Sequence, residues 1–117
     1  MKNTTLDIEQ LAKAAFILKT IAHPLRIGIA EILTEHDELS VTQICDLLHS
    51  EQSLTSHHLN NMKMKGILGS RREGQNIYYH LEFQQVTKVI DCIRECDPEA
   101  LAALNITINS RIENSDN

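Results

Sequence analysis

Apolar residues first recur at Leu6, Leu11, Ala14, Ala15, Leu18 and Ile21, close to a helical period, and Thr4 or Thr5 is placed to cap that helix. His23-Pro24 ends it, because the residue before a proline is pushed out of the helical region. Pro24 suits the first position of a second helix, which carries Leu25, Ile29, Ile32 and Leu33 and runs to about Glu35. His36-Asp37-Glu38 reads as a polar turn and Leu39 as a short extended step. Ser40 is a good N-cap for a short third helix bearing Val41, Ile44, Leu47 and Leu48. After a break at His49-Ser50, a fourth helix covers residues 51–65, with Thr55, Leu59 and Met62 inward and Leu54 outward; Gly66 stops it.

Beyond Gly66 the period changes to that of strands. Residues 67–72 and 77–81 read as two strands joined by a turn at residues 73–76, a hairpin. A fifth helix is predicted from near Phe83, with Val86, Val89, Ile90 and Ile93. Asp97-Pro98 then caps and opens a short helix to about Leu104. Residues 1–5 read as frayed and 105–117 as a flexible tail, so residues 1–104 form the domain. The pattern is mainly α with a small β-hairpin, the order of a winged helix-turn-helix. Its recognition helix is 51–65 and its wing is 69–81.

A length of 117 residues, 42% hydrophobic, suits one domain with one modest core. The formal charge of −5 argues at first against a nucleic-acid partner. Divided along the chain it reads differently: residues 51–80 hold four basic and two acidic groups, and the acid lies on either side. The total therefore averages two surfaces and predicts modest non-specific affinity for DNA. Phe16, Tyr78, Tyr79 and Phe83 are the only aromatics apart from histidine, too few for a base-stacking groove. No apolar run reaches membrane-span length and no signal-peptide pattern opens the chain, so it reads as cytoplasmic, with no membrane partner. No paired carboxylates, phosphate loop, nucleophile elbow or zinc-protease motif points to an enzyme.

Three segments carry a family resemblance. Ile21-Ala-His-Pro-Leu-Arg-Ile-Gly-Ile resembles the opening signature of the ArsR/SmtB family of bacterial winged-helix repressors. Gln52-Ser-Leu-Thr-Ser-His-His-Leu is similar to that family's recognition helix, with Ser56, His57 and Leu59 on its typical serine, histidine and leucine. Gly66-Ile-Leu followed by Arg71-Arg72-Glu-Gly-Gln-Asn-Ile-Tyr-Tyr resembles its wing. The resemblance spans residues 8–97 and implies a homodimer built on the first and fifth helices, binding to double-stranded operator DNA, and release by an inducer. The residues themselves suit that role. A helix enters the major groove with its N-terminal turn at the base edges, where Gln and Asn can bond adenine bidentately and Ser can bond several bases. Gln52, Ser53, Ser56, His57 and Asn60 are the candidate base readers; each also reads as part of an ordinary solvated face. Lys63 and Lys65 read either as phosphate contacts or as partners of the helix dipole. Arg71, Arg72 and Gln75 belong to the wing, and alternation puts the two arginines on opposite faces. His58 is expected beneath the helix.

Members of the family often sense metals, so its ligand sets can be laid on this chain. A cysteine pair in the third helix falls on Gln43 and Cys45. A zinc set on the fifth helix falls on Phe83, Gln85, Cys96 and Glu99. Gln43, Phe83 and Gln85 depart from those sets, which puts zinc sensing in doubt. What remains is Cys92 and Cys96 on the fifth helix, four apart and so on one face. They read as small interface hydrophobes, as ligands of a thiophilic metal or metalloid ion, or as an intersubunit disulfide pair. Two other functions stay open: a winged-helix regulator without metal or thiol sensing, and a protein-interaction module that does not bind DNA.

Overall fold

The computed structural model describes residues 5–104, and the expectations for residues 1–4 and 105–117 lie outside it. In chain order the elements are α1 (Ile8–Ile21), α2 (Pro24–Glu35), β1 (Leu39–Ser40), α3 (Val41–Leu48), α4 (Gln52–Met64), β2 (Leu68–Glu73), β3 (Asn76–Leu81), α5 (Val86–Arg94) and α6 (Pro98–Ala102). This is a winged helix-turn-helix, with the recognition helix and wing in their expected places.

Local chemistry sets most of the boundaries. Asp7, not Thr4 or Thr5, caps α1: its carboxylate accepts from the Gln10 amide at 2.8 Å and the Gln10 side chain accepts from the Asp7 amide at 3.0 Å. That reciprocal pair satisfies two helix-end donors at once and leaves Leu6 outside the helix. Pro24 opens α2 behind His23, whose Nδ1 accepts from the Leu25 amide at 3.1 Å. Ser40 and Gln43 repeat the reciprocal cap at α3. Gly66, at φ +87°, takes the left-handed turn that closes α4, and the Ile67 amide reaches back to the Met62 carbonyl at 3.0 Å.

The sheet has one strand more than the expected hairpin. β3 lies in the middle, antiparallel to β2 on one side and to the two-residue β1 on the other, with Leu39 opposite Tyr79 and Ser40 opposite Tyr78. A two-residue strand is too short to show a period, so only its pairing reveals it. Glu73 faces Asn76, leaving Gly74 and Gln75 as the hairpin loop, and Gly74 supplies the positive φ of +66° at its first position.

The core gathers Ile29, Ala30 and Leu33 of α2, Ile44 of α3, Leu59 and Met62 of α4, Leu68, Tyr79 and Leu81 of the sheet, and Val86 and Ile90 of α5. The inward stripe of α4 is the expected one, with Thr55 also fully buried. Leu47 departs from expectation and is exposed, as is Ile93.

The fifth helix is shorter at both ends than its sequence suggests. Phe83 precedes it in a turn, half-buried against the core, and the helix begins only at Val86. It ends at Arg94 because Asp97-Pro98 restarts the chain as α6; Asp97 accepts from the Glu99 amide at 3.1 Å. Cys96 thus lies beyond the helix, and the shared helical face proposed for Cys92 and Cys96 does not form.

Candidate nucleic-acid interface

The recognition helix is held from below. Buried Arg26 of α2 donates from Nε to His58 Nδ1 at 2.8 Å and from Nη1 to the Thr20 carbonyl at 2.9 Å. One guanidinium therefore ties the end of α1, the start of α2 and the underside of α4. His58 accepts at Nδ1, which places a ring proton on Nε2 if the imidazole is neutral. The His23 ring lies 4.4 Å from it, centroid to centroid. This layer fixes the roll of α4 and so decides which side chains face outward. Replacing Arg26 by Met keeps the aliphatic stem and removes both bonds. That change is expected to cost about 1–3 kcal/mol of stability. Thermal or urea unfolding of the variant checks it; an unchanged midpoint would contradict the role.

The outer arc of α4 then presents Gln52, Ser53, Ser56, His57, Asn60 and Lys63, all exposed except half-buried Ser56. Asn60 makes one weak contact, from Nδ2 to the Met64 sulfur at 3.6 Å. Lys65 caps the end of the helix and is exposed. Leu54 does not point to solvent as expected. It is half-buried beside a groove shared with His23, Leu25 and Leu48. The helix start also carries its own anion: Glu51 is the N-cap and accepts from the Leu54 amide at 3.2 Å. The amides at this end are thus partly used within the chain, which weakens their appeal to phosphate.

The wing meets this arc. Gln52 and Ser56 from α4 line one shallow cleft with Gln75, Asn76 and Ile77 from the hairpin. The helix's first turns and the wing tip therefore form a single surface. Arg72, opposite Ile77 on the ladder, is exposed and, among the described residues, makes no hydrogen bond or ion pair.

Arg71 is placed otherwise. It bonds Glu38 through Nε and Nη2, the shortest contact being 2.6 Å, and Glu73 through Nη1 at 2.7 Å. Its guanidinium also lies 4.7 Å above the Tyr78 ring. The hydrogen bonds to Arg71 hold the Glu38 carboxyl below the usual carboxylate range. The ionic part of this pairing is lost as pH falls through that lowered value. Sequence reading separated the two arginines by face but missed Glu38, whose partner lies 33 residues away.

None of the three cysteines lines the cleft between α4 and the wing. Cys92 and Cys96 are exposed, and Cys45 is half-buried on α3, as a core-adjacent residue would be. Gln43, at a family ligand position, spends its side chain on the α3 cap, and Phe83 packs on the core. Among the described residues, no group of three or more His, Cys, Asp or Glu is gathered as a metal ion requires. Gln43 and Phe83 thus depart from the family's ligand sets.

Among the described residues no helix is long and apolar enough to cross a membrane. Residues 23–70 match the family model described as "Bacterial regulatory protein, arsR family". The chain is 39% identical to the transcriptional repressor PagR of Bacillus anthracis, over 73% of this chain and 85% of that protein. PagR's crystal structure superposes with a TM-score of 0.66 over 74% of this chain and 99% of that one. An uncharacterised HTH-type transcriptional regulator of Methanocaldococcus jannaschii is 35% identical, covering 75% of this chain and 99% of its own length. The structure of HlyU from Vibrio cholerae is similar at a TM-score of 0.69 and 31% identity, over 75% of this chain and 95% of that one. With two of its motifs on one surface and relatives matched over most of their length, the chain belongs to the arsR family of bacterial regulatory proteins, winged-helix transcriptional regulators rather than enzymes.

Proposed function

We propose that this chain is a cytoplasmic homodimeric repressor that reads operator DNA with α4 and the wing and is released by an agent acting on thiols. The observation that carries the reading is the cleft shared by Gln52 and Ser56 of α4 with Gln75 of the wing. Gln52, Ser53, Ser56, His57 and Asn60 are the base readers, and Lys63 and the wing hold phosphate. The domain of residues 1–104 carries both reading and pairing. Pairing uses the outer face of α1, where Ile8, Leu11, Phe16 and Leu18 are exposed, together with α5, where Ile93 is exposed. Bound dimer covers the promoter, and the inducer shifts it to a weaker-binding arrangement. Fluorescence anisotropy tests the reading, comparing duplexes that tile the DNA upstream of the gene with random duplex across a salt series. A salt-sensitive preference for the upstream DNA is expected. No binding even at low salt would instead favour a protein-interaction module.

Release is assigned to Cys92 and Cys96. Both thiols are exposed and close in sequence, Cys92 in the last turn of α5 and Cys96 just beyond it. Two thiols per chain suit an oxidant, a reactive sulfur species or a thiophilic ion of low coordination number, and a two-fold axis doubles them. The Cys92→Ser/Cys96→Ser variant should bind operator as the parent does and keep that affinity when polysulfide, arsenite or cuprous ion is added. The parent should lose about tenfold or more under at least one of these, in line with usual allosteric couplings. A variant that responds as the parent does would leave a regulator without thiol sensing at these residues.

A further inference from the structure

The two neighbouring arginines of the wing look equivalent in sequence, and the structure separates their tasks. On β2, residues alternate between faces. Ser70 pairs with buried Tyr79, and Arg72 pairs with Ile77, which lines the cleft beside α4. Arg72 is therefore on the sheet face turned toward the recognition helix. Arg71 is on the opposite face, paired across the ladder with Tyr78, whose other neighbour is Ser40 of β1. From there its side chain crosses the sheet: it starts on β2, lies over the β3 ring and ends on Glu38, just before β1. Three of its five N–H groups are spent on two carboxylates. With two acids around one guanidinium, that cluster carries net negative charge and repels phosphate.

We infer that Arg71 is a positioning residue that clamps the wing to the strand leading into α3, and that Arg72 alone is the wing's phosphate or minor-groove contact. The inference rests on the DNA-binding reading above and divides its labour. The clamp matters for the outer part of the hairpin, because beyond the β1 pairing at Tyr78 and Tyr79 the ladder continues between β2 and β3 alone. Anchoring it beside β1 sets the height of Gln75 and Arg72 against α4.

Counting released ions separates the two roles, because each phosphate contact contributes about one to the slope of log affinity against log salt. Arg72→Gln is expected to lower that slope by about one, with little change in amide hydrogen exchange of the hairpin. Arg71→Gln is expected to keep the slope within a few tenths, weaken binding severalfold at every salt, and speed exchange at β2 and β3. Swapping the charges, Glu38→Arg with Arg71→Glu, should restore slow exchange and most of the affinity. A unit loss of slope in Arg71→Gln, or unaltered slope in Arg72→Gln, would overturn the assignment. If the parent chain shows no salt-dependent DNA binding, the functional reading itself fails and the role of Arg72 falls with it. The exchange comparison and the charge swap still decide the clamp.

Discussion

A chain carrying Leu11→Glu and Leu18→Glu is expected to run as a monomer and to lose operator affinity by about a thousandfold. The two leucines are 51% and 54% exposed in the single chain, on the same side of α1 as Ile8 at 83%. Such a stripe on a small protein is a surface that another surface covers. Covering a leucine contributes about 1.5–3 kcal/mol, whereas burying an unpaired carboxylate costs more than that gain. The inward face of this helix is carried by Ile17, Thr20 and Ile21, which both changes leave alone, so the circular dichroism of the fold should persist. The large effect on DNA arises because a dimer engages two half-sites with one loss of freedom. A monomer has a single half-site to hold. Sedimentation equilibrium and anisotropy check both parts. A variant that remains dimeric at micromolar concentration would place the pairing surface elsewhere.

The second large effect concerns specificity. Replacing Ser56 and His57 together by alanine removes two candidate base contacts from α4 while leaving its buried side, Thr55, Leu59 and Met62, untouched. Each base contact is worth about 1–3 kcal/mol, so losing two should lower operator affinity by about thirtyfold or more. Alanine is the better helix former, so the melting temperature should not fall. Binding to random duplex, which rests on phosphate contacts, should stay nearly constant, and so should the salt slope. A parallel loss on both DNAs, or no loss on either, would remove these residues from base readout.

Much of the fold was legible because its punctuation is chemical and local. Pro24 after His23, Ser40 before Val41, Gly66 after α4 and Asp97-Pro98 each mark a boundary that the backbone adopts. The buried stripe of α4 followed from period alone. Failures came where a competing local partner, or a distant one, decides. Asp7 displaces the threonines as cap because Gln10 returns its bond. β1 needs Tyr79 and Tyr78 to exist as a strand. The same restart that was read correctly at Asp97 also cuts α5 short, and that consequence for Cys96 was missed. Within the site, the outward arc of α4 was readable, but its support was not. Arg26 looks like any arginine on α2 until His58, 32 residues on, is folded against it. Alternation separates Arg71 from Arg72 by face, but the pairing of Arg71 with Glu38 follows from no spacing rule that connects Glu38 to the wing.

The acidic total is resolved by the same geometry. Positive charge is concentrated in α4 and the wing, and part of it, Arg71, is already neutralised within the chain. Affinity for arbitrary DNA should therefore be weak, and discrimination should rest on base contacts.

The most direct test is selection from a pool of random duplexes with the purified full chain, followed by sequencing of the bound fraction. The expected product is an inverted repeat whose half-site centres lie about 34–36 Å apart, one helical turn. Enrichment should vanish for the Ser56/His57 and Leu11/Leu18 variants. No enrichment, or a single asymmetric site bound equally well by those variants, would contradict a dimer that reads DNA through α4.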